Sequence, residues 1–114
     1  MSVDFRLFGS RQVPFVAASE QNECGLACLA AICAYHRSPL GLPEIRELAI
    51  HSGRGETMLE LRNLAERLGL SARGVRVEPE ALFKLKMPCI LHWEMNHFVV
   101  LEKATKSAVV IMDP

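Results

Sequence analysis

The first half of the chain carries apolar residues at helical spacing. From Cys24 to about His36 they recur every three or four positions, which predicts a helix. Its expected buried stripe consists of Leu26, Leu29, Ala30 and Cys33. A short second helix is expected from Pro43, because proline is tolerated in the first helical turn. A third is expected from Thr57-Met58-Leu59-Glu60, which has the spacing of a capping box, and should end at Gly69.

In the second half the apolar residues alternate or form short runs, which is typical of β-strands. Residues 71–78 alternate towards their end, with Val75 and Val77 on one face, and a short helical segment is expected from Pro79 to Leu85. Three more strands are predicted over residues 89–93, 97–103 and 108–113, with a turn at residues 94–96. The first of these three has the composition of a buried strand. Helices followed by an antiparallel sheet define an α+β fold.

Length and composition favour a single domain. The chain has 114 residues, half of them hydrophobic, and no repeat or linker divides it. We expect residues 1–12 to be a lead-in and residues 13–114 to be the domain. Basic and acidic residues both number 13, so charge gives no case for binding nucleic acid or an anionic membrane. The chain lacks a long apolar run and a signal-peptide pattern, so the expected environment is the cytoplasm, where thiols stay reduced.

The last two predicted strands bring a histidine and a carboxylate together. If the hairpin is centred on Thr105, Leu101 lies opposite Val109 and His97 lies opposite Asp113. Opposed Cβ atoms are roughly 4.5–5.5 Å apart, which lets a carboxylate hold an imidazole N–H. A loop of even length would shift the register by one residue and turn every side chain to the other face. The alternative interpretation is a surface ion pair at the end of the sheet.

Cys24 stands where a polar, acidic run gives way to the apolar helix. The N–H groups of a helix N-terminus favour the nucleophilic thiolate, and Gly25 is expected to leave room for a substrate, whereas the adjacent charge of Glu23 opposes the thiolate. A cysteine, a histidine and a carboxylate that orients the histidine are the parts of a cysteine hydrolase. The alternative is a packing residue, since free cysteine is among the most buried residue types. Cys28 and Cys33 are expected to be packing residues.

A zinc site is a third interpretation of the cysteines, and their spacing argues against it. The first three follow the pattern C-x3-C-x4-C without a C-x2-C pair, and His92 and His97 flank a turn rather than sharing a helix face. His36 and His51 are expected near helix ends, where the helix dipole favours them. Gly53-Arg54-Gly55-Glu56 lacks the pattern of a phosphate-binding loop, so the chain itself is not expected to bind ATP.

Three segments, in the same order, resemble the peptidase C39 domain, which is the N-terminal, cytosolic part of bacteriocin-exporting ABC transporters. They are ECGLACLA at 23–30, MPCILHWEMNHFVVLEK at 87–103 and VIMDP at 110–114. The second segment is most similar to the colicin V-type branch. The resemblance runs from Val13 to the end of the chain. It implies a papain-like cysteine peptidase fold, with N-terminal helices packed on a C-terminal antiparallel sheet.

The resemblance also implies a role for each candidate residue. Cys24 matches the nucleophile, His97 the general acid and base, and Asp113 the residue that orients the histidine. The implied substrate is a precursor peptide whose amphipathic leader is cut after a Gly-Gly pair. The implied partners are the transmembrane and ATPase domains of a parent exporter, on the cytoplasmic side of a bacterial membrane. No cofactor is implied in this domain, and ATP is expected only in the ATPase domain of the parent.

Two features depart from the family pattern. The family has a glutamine six residues before the nucleophile, where its amide donates into the oxyanion hole, and this chain has Ala18 there. A methyl group cannot donate, and the loss of one such donor costs roughly 10²–10³-fold in rate. Family domains also continue past the Asp-Pro pair, so a closing C-terminal strand is expected to be missing. A non-catalytic domain that docks the leader or cargo of an exporter is therefore the second hypothesis, and a zinc-binding domain is the third.

Overall fold

The structure, a computed structural model, describes residues 12–18, 22–49, 55–93 and 97–114. Over these ranges the elements are α1 Cys24–Tyr35, α2 Leu42–Leu48, α3 Met58–Arg67, a 3-10 helix Pro79–Lys84, β1 Cys89–Trp93, β2 His97–Ala104 and β3 Val109–Met112. This order confirms the predicted α+β class. None of the helices in these ranges is long and apolar enough to cross a membrane. The predictions for residues 1–11, His51, residues 53–54 and the turn at 94–96 lie outside the described residues.

Helix α1 is buried on every side, which corrects the prediction of a single buried stripe. Each residue from Cys24 to Cys33 is buried, and this stretch contains no charged side chain. The helix packs against β2, α2 and α3. A helix enclosed in this way has no solvent-facing stripe, so apolar and small residues occupy all of its faces. The N-terminal end of α1 is thereby held inside the core.

The two shorter helices lie close to their predicted positions: α2 begins at Leu42, one residue before the predicted Pro43, and α3 ends at Arg67, two residues before Gly69. The Thr57 hydroxyl accepts from the Glu60 N–H at 3.1 Å, and Glu60 Oε1 accepts from the Thr57 N–H at 2.9 Å, which is a capping box. Helix α3 is followed by Gly69 at a φ of +88°, a conformation that favours glycine. Helix α2 has Pro43 in its first turn and buries Ile45. The inward face of α3 consists of Leu61, Leu64 and Ala65.

Residues 71–78 do not form the predicted strand. They carry no regular structure, and Val75 is 52% exposed. A strand is stabilised by cross-strand neighbours, and the sheet found within the described ranges contains only β1, β2 and β3. Two alternating valines are therefore too weak a signal to predict a strand here, where the described residues provide no partner strand for them. The 3-10 helix that follows agrees with the predicted helical segment and ends one residue before Leu85.

Strand β2 is the centre of the antiparallel sheet, whose order is β1-β2-β3. Its residues Phe98, Val99, Val100 and Leu101 are all buried. Strand β1 was expected to be buried, but its residues 89–91 are half-buried and His92 is exposed. The reason is that, among the strands of the described ranges, β1 lies at an edge of the sheet and pairs with β2 alone.

The β2–β3 hairpin has a register that differs from the predicted one. Leu101 lies opposite Ile111, whereas the predicted hairpin placed it opposite Val109. The strands are joined by residues 105–108, a loop of even length. Glu102 then lacks an opposite residue on β3 and forms a β-bulge, which inserts one extra residue into β2.

The bulge residue also anchors the N-terminal segment. Glu102 Oε1 accepts a hydrogen bond from the Val13 N–H at 3.2 Å. The Val13 side chain is 8% exposed and belongs to the hydrophobic core. The segment that leads to Ala18 is therefore tied to the central strand of the sheet.

Candidate active site

Cys24 is the first residue of α1 and is 8% exposed. No acidic residue occupies the first turn of this helix, and the side chain of Glu23, the N-cap residue, makes no capping hydrogen bond to it. The partial positive charge of a helix N-terminus stabilises negative charge placed there. The position of Cys24 therefore suits a thiolate and, with its own backbone N–H, an oxyanion.

Gly25 brings this end of α1 against the start of β2. A Cβ atom added at Gly25 would lie 3.3 Å from Leu61 Cδ1 and 3.3 Å from Phe98 Cδ2. The absence of a side chain therefore permits close packing of α1 on α3 and β2. This corrects the expectation that Gly25 leaves room for a substrate. Because Gly25 follows Cys24 and Phe98 follows His97, the contact brings Cys24 and His97 to the same end of the sheet.

His97 and Asp113 are joined by a hydrogen bond. The His97 Nε2 atom lies 2.6 Å from Asp113 Oδ1. An ionised carboxylate only accepts, so in the tautomer that forms this hydrogen bond to an ionised Asp113 the proton is on Nε2. The two side chains are 39% and 59% exposed, respectively. The contact confirms that the hairpin brings these two residues together, although their register is different from the predicted one.

The environment of Cys28 shows that Asp113 also lies near the start of α1. Burial raises the pKa of the Cys28 thiol, and the charges of Cys24 and Asp113 raise it further. Burial likewise raises the pKa of the Cys33 and Cys89 thiols. All four cysteines are free. Cys28 and Cys33 are buried in the neutral form, which confirms that they are packing residues.

A partly buried ion pair directly precedes Cys24 and cannot be seen in the sequence alone. Glu23 is 6% exposed, and its carboxylate accepts from Nε and from Nη2 of Arg46, the latter at 3.0 Å. From the sequence alone, Glu23 is only a charge that opposes the thiolate. The sequence holds one signal for this ion pair, which is an acidic residue directly before a wholly apolar helix. Such a residue needs a partner of opposite charge when it is buried.

Ala18 lies in the described segment 12–18, outside any regular element, and is half-buried. Residues 19–21, which connect it to Asn22, lie outside the described residues. Its methyl side chain supplies no hydrogen-bond donor.

On β1, the ring of His92 stacks on the ring of Phe98, with the two centroids 4.5 Å apart.

The described residues contain no group of three or more His, Cys, Asp or Glu side chains that could hold a metal ion. The geometry therefore gives the candidate zinc ligands no common centre within these ranges. His92 stacks on an aromatic ring, His97 is bonded to Asp113, and His36 is the C-cap residue of α1.

Comparison with known proteins assigns the chain to a family of peptidases. The sequence model of the Peptidase C39 family matches residues 12–114. The chain therefore belongs to the peptidase C39 family.

The chain is also similar to three individual proteins. The probable microcin-H47 secretion/processing ATP-binding protein and the colicin V secretion/processing ATP-binding protein, both of Escherichia coli, are each 41% identical to it over 104 residues. Each alignment covers 91% of this chain and 15% of the relative, so the chain spans a small part of these relatives. A solved double glycine motif protease from an AMS/PCAT transporter, in complex with the leader peptide, matches with a TM-score of 0.82 and 38% identity. That match covers 90% of this chain and 76% of the other.

Proposed function

We propose that this chain is a cysteine peptidase domain of a peptide-exporting ABC transporter and that it cuts leader peptides after a double glycine. The observation that carries the proposal is the combination of Cys24 at a helix N-terminus with the hydrogen bond between His97 and Asp113 at the same end of the sheet. Membership of the peptidase C39 family supports it. The similarity to a double glycine motif protease bound to a leader peptide supports the choice of substrate.

In the proposed mechanism, the two nitrogens of His97 have different tasks, and the hydrogen bond to Asp113 supports this division. Nε2 donates to Asp113, so Nδ1 is the atom that exchanges a proton with Cys24 and with the substrate. Asp113 holds the ring in one orientation and stabilises the imidazolium that forms when the thiol loses its proton. Cys24 is the nucleophile because its thiolate lies at the positive end of α1.

The proposed reaction has two halves. The Cys24 thiolate attacks the carbonyl carbon of the second glycine, and a C–S bond forms while the carbonyl electrons move to oxygen. Collapse of this intermediate breaks the C–N bond, and the departing amine takes the proton from His97. Water then attacks the thioester and gives a proton to His97. The leader departs with a new carboxylate, and Cys24 is regenerated.

Ala18 weakens the stabilisation of the oxyanion. The family glutamine donates from this position, and a methyl group does not. The Cys24 N–H remains as a donor, so we expect activity that is reduced by roughly 10²–10³-fold rather than lost.

The proposed substrate is a precursor peptide with an amphipathic helical leader. A narrow cleft would explain the double glycine, because any side chain at these two positions would meet its walls. The E. coli relatives are secretion/processing ATP-binding proteins, which supports a parent with transmembrane and ATPase domains. The domain would then work at the cytoplasmic side of the membrane without a cofactor of its own, and ATP would bind elsewhere in the parent.

Ala18 also supports a second function, which is docking of a leader peptide without cleavage. A domain that only binds cargo does not need an oxyanion donor. The retained Cys24, His97 and Asp113 favour the peptidase.

A cleavage assay followed by mass spectrometry tests the proposal. The substrate is a synthetic peptide with a helical leader that ends in Gly-Gly, and a Gly-Val version serves as the specificity control. The chain is compared with its Ala18→Gln, Cys24→Ala and Ala17→Gln variants. Ala17 is exposed and adjacent to Ala18, so Ala17→Gln places the same amide one residue away from the oxyanion position.

The peptidase proposal predicts slow cleavage after Gly-Gly by the chain itself and a rate about 100-fold higher for Ala18→Gln. Ala17→Gln should match the chain, and Cys24→Ala should be inactive. Binding of the peptide without cleavage by any variant would support docking instead. Equal cleavage of the Gly-Val peptide would contradict the proposed specificity.

A further inference from the structure

We propose that Arg46 is a positioning residue for catalysis, which acts by neutralising Glu23 so that the Cys24 thiolate can form. This inference rests on the proposed function, because it assigns a task to a residue that lies outside the nucleophile, the histidine and the aspartate.

The sequence places a carboxylate directly before the proposed nucleophile, where its charge opposes thiolate formation. Glu23 directly precedes Cys24 and is 6% exposed, so its charge is poorly screened by water. As the N-cap residue, it could cap α1 with its side chain, but it makes no such bond. Its carboxylate instead accepts two hydrogen bonds from the guanidinium of Arg46. A bidentate pair of this kind is the strongest arrangement that an arginine and a carboxylate form.

Arg46 therefore has two effects on Glu23. A buried carboxylate requires a partner, and Arg46 on α2 provides it across the interface of α1 and α2. The positive guanidinium of Arg46 also offsets the negative charge of the Glu23 carboxylate, which opposes the thiolate of the next residue. In addition, the N–H groups in the first turn of α1 are not occupied by the Glu23 side chain.

Among the described residues, other titratable groups near the start of α1 set the background for this effect. They are Cys28 on the next turn of α1 and Asp113 after β3, which is hydrogen-bonded to His97 on β2. His92 on β1 stacks on Phe98, whose ring lies next to Gly25. From α3, the side chain that contacts this end is the apolar Leu61. The Glu23–Arg46 pair can be tested independently of these groups, because one substitution removes its negative charge and another removes its positive charge.

Separate removal of the two charges distinguishes electrostatics from packing. Arg46→Leu leaves the carboxylate next to Cys24, and Glu23→Gln leaves the guanidinium. Both variants break the same ion pair. A structural pin would therefore change the site in the same direction in both variants, whereas an electrostatic partner changes thiolate formation in opposite directions.

The readout is the pH at which Cys24 reacts with iodoacetamide, and it needs no peptide cleavage. Alkylation at each cysteine is located by fragmentation mass spectrometry, and Cys24→Ser gives the background. We expect the midpoint to rise by on the order of one pH unit in Arg46→Leu and to fall in Glu23→Gln. Arg46→Lys keeps the charge and should keep the midpoint of the original chain. The double variant Glu23→Gln with Arg46→Leu should restore it.

The matched control is Arg62→Leu, which makes the same substitution in an exposed ion pair. Arg62 lies 3.3 Å from Glu66, and both side chains are more than 40% exposed. This variant should leave the alkylation midpoint unchanged. If Arg46→Leu does not fold by circular dichroism, Glu23→Gln, Arg46→Lys and the double variant still carry the test.

The alkylation midpoints of the variants either support or contradict the proposed role of Arg46. Opposite shifts with restoration in the double variant support the proposal. Unchanged midpoints, shifts in one direction, or a double variant that stays shifted would overturn it. If the original chain itself shows an ordinary thiol midpoint at Cys24, the proposed peptidase function fails first. A depressed midpoint that does not respond to Arg46 removes only this inference.

Discussion

His97 and Asp113 are hydrogen-bonded to each other although they are not opposite in the sheet. The last paired residue of β3, Met112, lies opposite Val100. Asp113 therefore falls level with Val99, two residues from His97 on the same face of β2. Diagonal neighbours of this kind are roughly 7–8 Å apart at Cα, which an imidazole and a carboxylate can bridge. The observed Nε2–Oδ1 distance is 2.6 Å.

The bulge at Glu102 is what puts the two side chains on the same face. Beside the loop, Lys103 lies opposite Val110, and an unbroken continuation would bring Asp113 level with Val100. His97 lies three residues from Val100 and would then point to the other face. The extra residue shifts the pairing by one and restores the alignment. A loop of even length and a bulge thus compensate for each other in this hairpin.

The exposure of the His97–Asp113 pair predicts that it matters for activity more than for stability. Exposed ion pairs contribute about 0–1 kcal/mol, so Asp113→Ala should change the free energy of unfolding by less than about 1 kcal/mol. The same variant should lower kcat by roughly 10²–10⁴-fold, because His97 loses the group that orients it. Asp113→Asn should lose less, because its amide oxygen still accepts from Nε2–H. Urea denaturation and single-turnover cleavage in an Ala18→Gln background measure the two effects.

Glu66→Ala provides the control for Asp113→Ala. It removes the acidic partner of the exposed Arg62–Glu66 pair on α3 and should leave both activity and stability nearly unchanged. A loss of activity that merely follows a large loss of stability in Asp113→Ala would contradict the orienting role.

Local features of this fold could be predicted from the sequence, whereas contacts between distant segments could not. The capping box at Thr57 and Glu60 was predicted because four consecutive residues contain the whole interaction. The bulge at Glu102 was missed because it depends on both strands and on the loop between them. The proximity of His97 and Asp113 was still predicted, because an error of two residues in register keeps each side chain on its face.

The ion pair of Glu23 and Arg46 at the candidate site is another contact between distant segments that could not be predicted from the sequence. Their positions are 23 residues apart, and no periodicity relates a helix N-cap to the middle of the next helix. A single sequence therefore displays the charge of Glu23 but not its partner. The tight packing at Gly25 cannot be predicted from the sequence for a related reason, since Leu61 and Phe98 come from two other elements.

The packing at Gly25 predicts that a single added methyl group is harmful. In Gly25→Ala, the new Cβ lies 3.3 Å from both Leu61 Cδ1 and Phe98 Cδ2, which is too close for unstrained contact. Phe98 cannot easily move, because it is 3% exposed and His92 stacks on its ring. Overpacking should therefore outweigh the better helix propensity of alanine and cost a net amount of about 1 kcal/mol. Chemical denaturation measures this cost.

Gly74→Ala is the matched substitution for Gly25→Ala. A Cβ at Gly74 would have no atom within 4 Å, so this variant should lie within about 0.5 kcal/mol of the original chain. Because Gly25→Ala separates α1 from β2, it should also lower kcat, whereas Gly74→Ala should not. Equal stability of the two variants would contradict the contact between α1, α3 and β2.

The buried thiols predict that the protein loses stability at alkaline pH. Burial raises the pKa of Cys28, Cys33 and Cys89 above the ordinary value of 9.0. Above about pH 9 the unfolded chain releases these protons more readily than the folded chain does, so the unfolded state binds fewer protons and the free energy of unfolding falls as pH rises. Below the ordinary value both states are protonated, and the contribution of the thiols is constant.

Urea denaturation between pH 8 and pH 10.5 tests this dependence, with Cys28→Ala as the variant. Each thiol that stays protonated only in the folded state adds a slope of about 1.4 kcal/mol per pH unit above its ordinary pKa. Cys28→Ala should reduce the total slope by that amount, whatever its effect on stability at pH 8. Ile32→Val, a buried truncation on the same helix, should cost about 0.5–1.5 kcal/mol at every pH and leave the slope unchanged. An unaltered slope in Cys28→Ala would mean that this thiol ionises as readily in the folded protein as in the unfolded chain.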